Sequence, residues 1–141
     1  MDTRTILLVE DNPDDEILTL RAFKRHKIAN PVVVARDGQE ALDYLFDPAK
    51  LLPSIVLLDL KLPKIGGLVV LKRLRADPRT ESVPVIILTS SNQDSDLIAG
   101  YKLGCNSYIR KPVDFDKFVD AVGQLGLYWL VFNEPPPLGQ K

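Results

Sequence analysis

The chain predicts a doubly wound α/β fold, with five parallel strands in the order 2-1-3-4-5 and helices on both faces. Three observations carry this expectation. Five short apolar, often β-branched runs alternate with segments of helical periodicity. The runs read as continuously apolar rather than alternating, the pattern of strands covered on both faces. Parallel neighbours also require crossovers, and right-handed crossovers distribute helices over the two sides of the sheet. With 141 residues, one domain of ordinary size is expected.

The first run, Thr5-Ile-Leu-Leu-Val9, ends abruptly in Glu10-Asp11-Asn12-Pro13. Asp14 reads as the cap of a helix with Ile17, Leu18, Leu20 and Phe23 on its inner face and Lys24-Arg25-His26-Lys27 at its carboxyl end, where the dipole favours cations. His26, the single histidine, is expected there as an ordinary surface group. Pro31 opens the second strand, Val32–Ala35; Asp37-Gly38 then turns the chain into a helix bearing Ala41, Leu42, Leu45 and Phe46, ended by Pro48.

The third run, Ile55-Val-Leu-Leu, delivers Asp59 at its end before Leu60-Lys61-Leu62-Pro63. A carboxylate at the end of a central strand costs free energy unless something pairs with it. Taken alone it could equally begin an ordinary loop. Gly66-Gly67 leads into a helix carrying Leu68, Leu71 and Leu74 with basic Lys72, Arg73 and Arg75, stopped at Asp77-Pro78. The fourth strand, Val83 to Leu88, meets Thr89-Ser90-Ser91. A helix from Asp94 to Leu103 passes through Gly104 to the fifth strand, Ser107–Arg110, which ends in Lys111-Pro112. Asp114 is expected to cap the last helix, amphipathic through Val122.

In such sheets ligands gather beyond the carboxyl ends of the strands, at the point where strand order reverses. Glu10, Asp11 and Asp59 would converge there, joined by Thr89 and Lys111. Three neighbouring acids repel one another unless a cation joins them. Oxygen-only ligands suit Mg²⁺, with Ca²⁺ the weaker alternative for want of a dedicated calcium loop. A carboxylate can also act as a nucleophile toward phosphorus, with Lys111 balancing charge and Thr89 donating a hydrogen bond.

Composition narrows the field further. Eighteen Lys and Arg against nineteen Asp and Glu leave no broad field for nucleic acid or anionic membrane. The lone Cys105 permits no internal disulfide and reads as a small buried hydrophobe. No signal peptide or membrane span is legible, so a soluble, cytoplasmic protein is expected.

These residues resemble the receiver domains of two-component response regulators over about residues 4 to 125. The match rests on Glu10-Asp11, Asp59, Pro63, Gly67, Thr89, Tyr108 and Lys111-Pro112. The resemblance implies the flavodoxin-like receiver fold, with Asp59 as phosphoacceptor for a sensor histidine kinase. It implies Mg²⁺ bound directly by Asp11, through water by Glu10, and by the backbone carbonyl of Lys61. Thr89, Tyr108 and Lys111 would form the switch that turns phosphate charge into a packing change. It also implies a cis Lys111-Pro112 bond and an influence of Lys61 and Ser91 on the lifetime of the phosphate. The protein would then be a switch and not an enzyme acting on an external substrate. Alternatives are a Mg²⁺-dependent phosphohydrolase, disfavoured because Lys61 stands where a second Asp is commonly found, a phosphate-independent dimeric scaffold, and an FMN protein of the same architecture.

The last stretch, Leu125-Gly-Leu-Tyr-Trp-Leu-Val-Phe132, is apolar on nearly every side, unlike a surface helix. Tyr128, Trp129 and Phe132 are therefore expected at a homodimer interface, with folding back onto the core as the alternative. A receiver domain over 4–132 and a Pro-rich tail over 133–141 are expected. No residues are expected to remain for a DNA-binding or catalytic output domain, so signalling would proceed through contact with an unknown downstream protein. The ending Tyr128 to Pro137 and the start Leu8 to Asp15 resemble single-domain regulators paired with cyanobacterial bacteriophytochrome kinases.

Overall fold

A computed structural model describes residues 5–25, 28, 30–90, 94–111 and 115–124. The elements are β1 (Ile6–Val9), α1 (Pro13–Arg25), β2 (Val32–Ala35), α2 (Gly38–Leu45), β3 (Ile55–Leu58), α3 (Gly67–Ala76), β4 (Val85–Thr89), α4 (Asp94–Lys102), β5 (Ser107–Arg110) and α5 (Phe115–Gln124). The strands form one sheet in the order β2-β1-β3-β4-β5, and every pairing is parallel. The expected doubly wound fold is therefore present.

Successive side chains of a strand point to opposite faces, and the core divides accordingly. Leu7, Val9, Val56, Leu58, Val85 and Ile87 pack with Ala41, Leu42 and Leu45 of α2 and Val70, Leu71 and Leu74 of α3. Ile6, Leu8, Ile55, Leu57, Ile86, Leu88 and Ile109 pack with Phe23 of α1 and with Phe118 and Ala121 of α5. The rings of Phe23 and Phe118 meet at 5.4 Å between centroids, an aromatic contact that joins the two helices on that face. With both faces covered, the central strands can carry no polar side chain until they end.

Several local expectations are corrected. Asn12, not Asp14, caps α1: its Oδ1 accepts from the amides of Asp14 at 2.9 Å and Asp15 at 3.2 Å. Pro13 then takes the first helical position, where a missing amide hydrogen costs nothing. Phe23 and Thr19 are the buried residues of α1, whereas Ile17 and Leu18 are 47% and 57% exposed. They lie on the outer side of the face that Phe23 defines. Strand β4 begins at Val85 and includes Thr89, so the polar residue expected just after the strand is its last rung. Helix α2 ends at Leu45 and leaves Phe46 as its C-cap, α4 stops at Lys102, and α5 extends past Val122 to Gln124.

Arg75 was expected on a basic helix face, but its guanidinium ties four acceptors together. It donates to the carbonyls of Gly104, Glu81 and Val83 and to Asn106 Oδ1, at 2.8–3.0 Å. Asn106 Oδ1 also accepts from the amide of Val85. One side chain of α3 thus fixes the entries to β4 and β5. Cys105 is buried as expected, and desolvation pushes its thiol up to about 11, so it is an inert packing group.

No helix among the described residues is long and apolar enough to cross a membrane. His26, Ser91, Pro112 with its expected cis bond, the cap Asp114, the apolar stretch with Tyr128, Trp129 and Phe132, and the tail 133–141 lie outside the described residues.

Phe118 is 1% exposed and lies at the centre of the contact between α1, α5 and the sheet. Phe118→Ala should lower the unfolding free energy by about 3–5 kcal/mol, the usual cost of emptying a buried phenyl site. Urea denaturation followed by far-UV circular dichroism checks this value.

Candidate functional site

Glu10, Asp11, Asp59 and Lys111 each stand one or two residues beyond the end of a strand, and Thr89 is the last residue of β4. The Glu10 amide donates to the Ala35 carbonyl and the Asp59 amide to the Val9 carbonyl, at 2.9 and 3.0 Å. The Lys111 amide donates to the Thr89 carbonyl at 2.8 Å. These bonds continue the sheet ladder past the apolar core, so the polar side chains are held as firmly as strand residues.

At this edge the carboxylate oxygens of Glu10, Asp11 and Asp59 all lie within 4.8 Å of one another. Glu10 is 1% exposed and Asp59 7% exposed, whereas Asp11 faces solvent. The Lys111 ammonium enters from the β5 side. It donates to Glu10 Oε1 at 2.5 Å, Asp15 Oδ2 at 2.9 Å and Asp59 Oδ2 at 3.1 Å. Glu10 Oε2 accepts from the Asn12 amide at 3.3 Å, and Asp59 Oδ1 accepts from the Lys61 amide at 3.3 Å.

The expected convergence of Glu10, Asp11, Asp59 and Lys111 is present. Thr89 stands at the same sheet edge and is fully buried. Lys61 is exposed, and its main chain reaches the site through its amide. Tyr108 lies farther back on β5, partly buried against the core on the α2–α4 side. Its hydroxyl oxygen is shielded from solvent and has no hydrogen-bond partner among the described residues. Burial, then the Asp96 carboxylate, pushes that hydroxyl above its ordinary pKa. Gly100 of α4 lies against this ring and against Ile87: a Cβ there would be in ordinary contact with Tyr108 Cδ2 at 3.8 Å but would crowd Ile87 Cδ1 at 2.8 Å.

One site residue escaped sequence reasoning. Asp15 reads as a generic acid in the first turn of a helix, yet its carboxylate is the third partner of Lys111. Its place two residues after Pro13 was visible, but its pairing with a residue 96 positions away was not.

The one ammonium offsets only part of the acidic charge here. Desolvation, reinforced by Asp59 and opposed by Lys111, pushes the Glu10 carboxyl up to about 7. Burial works against charge on Lys111, but Glu10, Asp15 and Asp59 outweigh it and hold the ammonium above the ordinary lysine range. Four carboxylates against one ammonium leave the edge strongly negative. An oxygen-only donor set with one solvent-facing member, Asp11, fits a hard divalent cation that keeps some of its waters.

The response regulator receiver domain model matches residues 6–123. The bacteriophytochrome response regulator RtBRR is 48% identical, with a TM-score of 0.81 over 96% of this chain and 86% of its own. The probable methanogenesis regulatory protein FilR2 of Methanothrix harundinacea is 41% identical over 93% of this chain and 86% of its own. Response regulator Rcp1 of Synechocystis is 33% identical over 90% and 89% of the two chains. The Mn(2+)-bound form of Rcp1 superposes with a TM-score of 0.76 at 32% identity, covering 95% of this chain and 99% of that one.

The raised Glu10 pKa gives a pH dependence of known sign in a chelator. The folded protein binds this proton more tightly than the unfolded chain, so the associated stabilisation is complete below pH 4.5 and is lost as pH rises through about 7. Wild type should therefore lose stability relative to Glu10→Gln across that window. Urea midpoints of both proteins at successive pH values in EDTA would show it, and a flat difference would contradict it.

Proposed function

The chain belongs to the response regulator receiver family, and from that premise we propose that Asp59 accepts a phosphoryl group from the phosphohistidine of a sensor histidine kinase. The observation that carries the reading is Asp59 itself, a buried carboxylate at a strand end with an ammonium at 3.1 Å and two further carboxylates close by. An Asp59 oxygen attacks phosphorus, the O–P bond forms as the P–N bond to the kinase imidazole breaks, and the imidazole recovers its proton from solvent. Lys111 balances the charge of the phosphoryl oxygens, and the Thr89 hydroxyl donates to one of them.

Glu10, Asp11 and Asp59, with the Lys61 carbonyl, would hold the Mg²⁺ that this chemistry requires. A Mg²⁺ held there would supply the positive charge that offsets the carboxylates and the phosphoryl oxygens. Its fit is supported by the hard-oxygen donor set and by the Mn²⁺-bound form of the relative Rcp1. Tyr108, with its unsatisfied hydroxyl, and Thr89 transmit the change from the sheet edge to α4.

Likeness to RtBRR, a bacteriophytochrome response regulator, supports a kinase of the phytochrome type, and the cytoplasm is the compartment assigned to this reaction. Output proceeds through protein contact, with no nucleic acid or membrane as partner. Ile98 and Tyr101 of α4, 55% and 52% exposed, offer apolar surface for such contact. Tyr128, Trp129 and Phe132 are assigned to a homodimer interface on their apolar character.

Incubation with Mg²⁺ and a small phosphodonor should add one acid-stable, base-labile phosphoryl group to wild type and none to Asp59→Asn. An unmodified wild type would overturn the reading. Without donor, Mg²⁺ at one hundred times its dissociation constant should stabilise wild type by about 2.7 kcal/mol, and the same concentration should do far less for Asp11→Ala. Sedimentation velocity across concentration should show a dimer that Trp129→Ala weakens, and a monomer at every concentration would refute that assignment.

A further inference from the structure

We propose that Asp15 is a positioning residue that tethers the Lys111 ammonium beside Asp59 and acts on phosphoryl transfer only through Lys111. This inference rests on the receiver reading above for its kinetic consequence, but not for the tether itself.

An ammonium has three N–H donors and no acceptor. In this structure the three contacts of Lys111 Nζ go to Glu10, Asp15 and Asp59. These carboxylates are not equivalent. Glu10 and Asp59 belong to the group of acids able to hold a cation, and Asp15 does not. A cation shared by Glu10 and Asp59 weakens their pull on Lys111, because charge neutralised once attracts less strongly a second time. Asp15 keeps its full charge and becomes the principal anchor of the ammonium.

Its geometry suits that task. Asp15 projects from the first turn of α1, a segment pinned by the Asn12 cap, and its carboxylate meets the Lys111 ammonium at 2.9 Å. The Lys111 side chain is 10% exposed and that of Asp15 33% exposed, which places the ion pair at the mouth of the site rather than free in water. On the outer side lies a cavity of about 500 Å³ along α1, lined in part by Asp15, Arg21, Arg25, Ser90 and Lys111. Without Asp15 the long, flexible lysine stem is free to swing the ammonium into this cavity toward solvent. With Asp15 in place, the ammonium already stands 3.1 Å from the oxygen that joins phosphorus. Holding a charged group where charge will develop is worth rate, because its reorganisation cost is met in advance.

The test is a double-mutant cycle on the full chain, with phosphoramidate as donor and saturating Mg²⁺. Asp15→Asn keeps the side-chain shape and removes the charge. It should slow phosphorylation of Asp59 by about three- to tenfold in the wild-type background, the range expected for one charge-assisted contact, and leave the rate of Lys111→Ala unchanged. An unchanged or faster rate in Asp15→Asn overturns the proposal. So does equal slowing in both backgrounds, which would mean a general charge or structural effect. Lysine side-chain ¹⁵N NMR on metal-free and Mg²⁺-loaded protein gives a second readout that needs no phosphorylation and no Lys111→Ala protein. The Lys111 ammonium protons should be protected from exchange in wild type and exchange fast in Asp15→Asn, and equal protection in the two overturns the tether. Absence of phosphate on wild-type Asp59 would instead overturn the receiver reading and leave this comparison intact.

Discussion

The structure depends on one electrostatic arrangement, a single ammonium held against three carboxylates at the end of a parallel sheet. Lys111 meets Glu10, Asp15 and Asp59 within hydrogen-bonding distance, and two of those acids are nearly inaccessible to water. Buried acids at such spacing repel one another, and removing either sign from the cluster leaves charge without compensation. Desolvation first, and then Asp59, push the Glu10 carboxyl up against the opposing pull of Lys111. The residual negative charge of the cluster is what makes the edge receptive to a divalent cation.

Why the cluster stands where it does follows from burial. Each central strand is covered on both faces by apolar helices, so the first position at which a polar side chain is tolerated lies at the strand end. Backbone ladder bonds run on to Glu10, Asp59 and Lys111, so their main chains have the rigidity of the sheet. Glycines complete the site from outside. A Cβ on Gly67 would lie 2.2 Å from the Asp59 carbonyl and one on Gly38 2.0 Å from the Ile65 carbonyl, so α3 and α2 press directly on the loop that follows Asp59. Lys64 in that loop has φ 67°, a left-handed conformation uncommon outside glycine, and its ammonium lies 3.4 Å from Asp37. The loop after Asp59 is thus shaped by tight backbone contact on both sides.

Two routes lead outward from the same cluster. Along β5, Lys111 is three residues from Tyr108, whose buried hydroxyl has no partner among the described residues and whose ring lies against α4. Along α1, Asp15 connects the ammonium to a helix whose outer surface carries exposed Ile17 and Leu18. Asp59 is thus linked through Lys111 to α1 on one face of the sheet and, along β5, to the Tyr108 ring beside α4 on the other. The FilR2 and bacteriophytochrome relatives bear names from different signalling contexts, so the shared scaffold does not set the partner. Surface residues of these helices are where such specificity has to reside.

Much of this was determined by the sequence alone. Three strands, Val32–Ala35, Ile55–Leu58 and Ser107–Arg110, fall where their apolar or β-branched runs place them, and abrupt polar endings marked Glu10, Asp11, Asp59, Thr89 and Lys111 as one edge. Periodicity and punctuation are local, so they survive without coordinates. Only the tertiary structure decided which of two successive polar or apolar residues turned inward. It made Asn12 rather than Asp14 the cap, left Ile17 and Leu18 in solvent, and turned Arg75 from a surface charge into a clamp on four acceptors. It also brought Asp15 to Lys111. That pairing spans 96 residues and depends on the rotation of α1 about its axis, which packing of Phe23 against Phe118 sets and which no local pattern encodes.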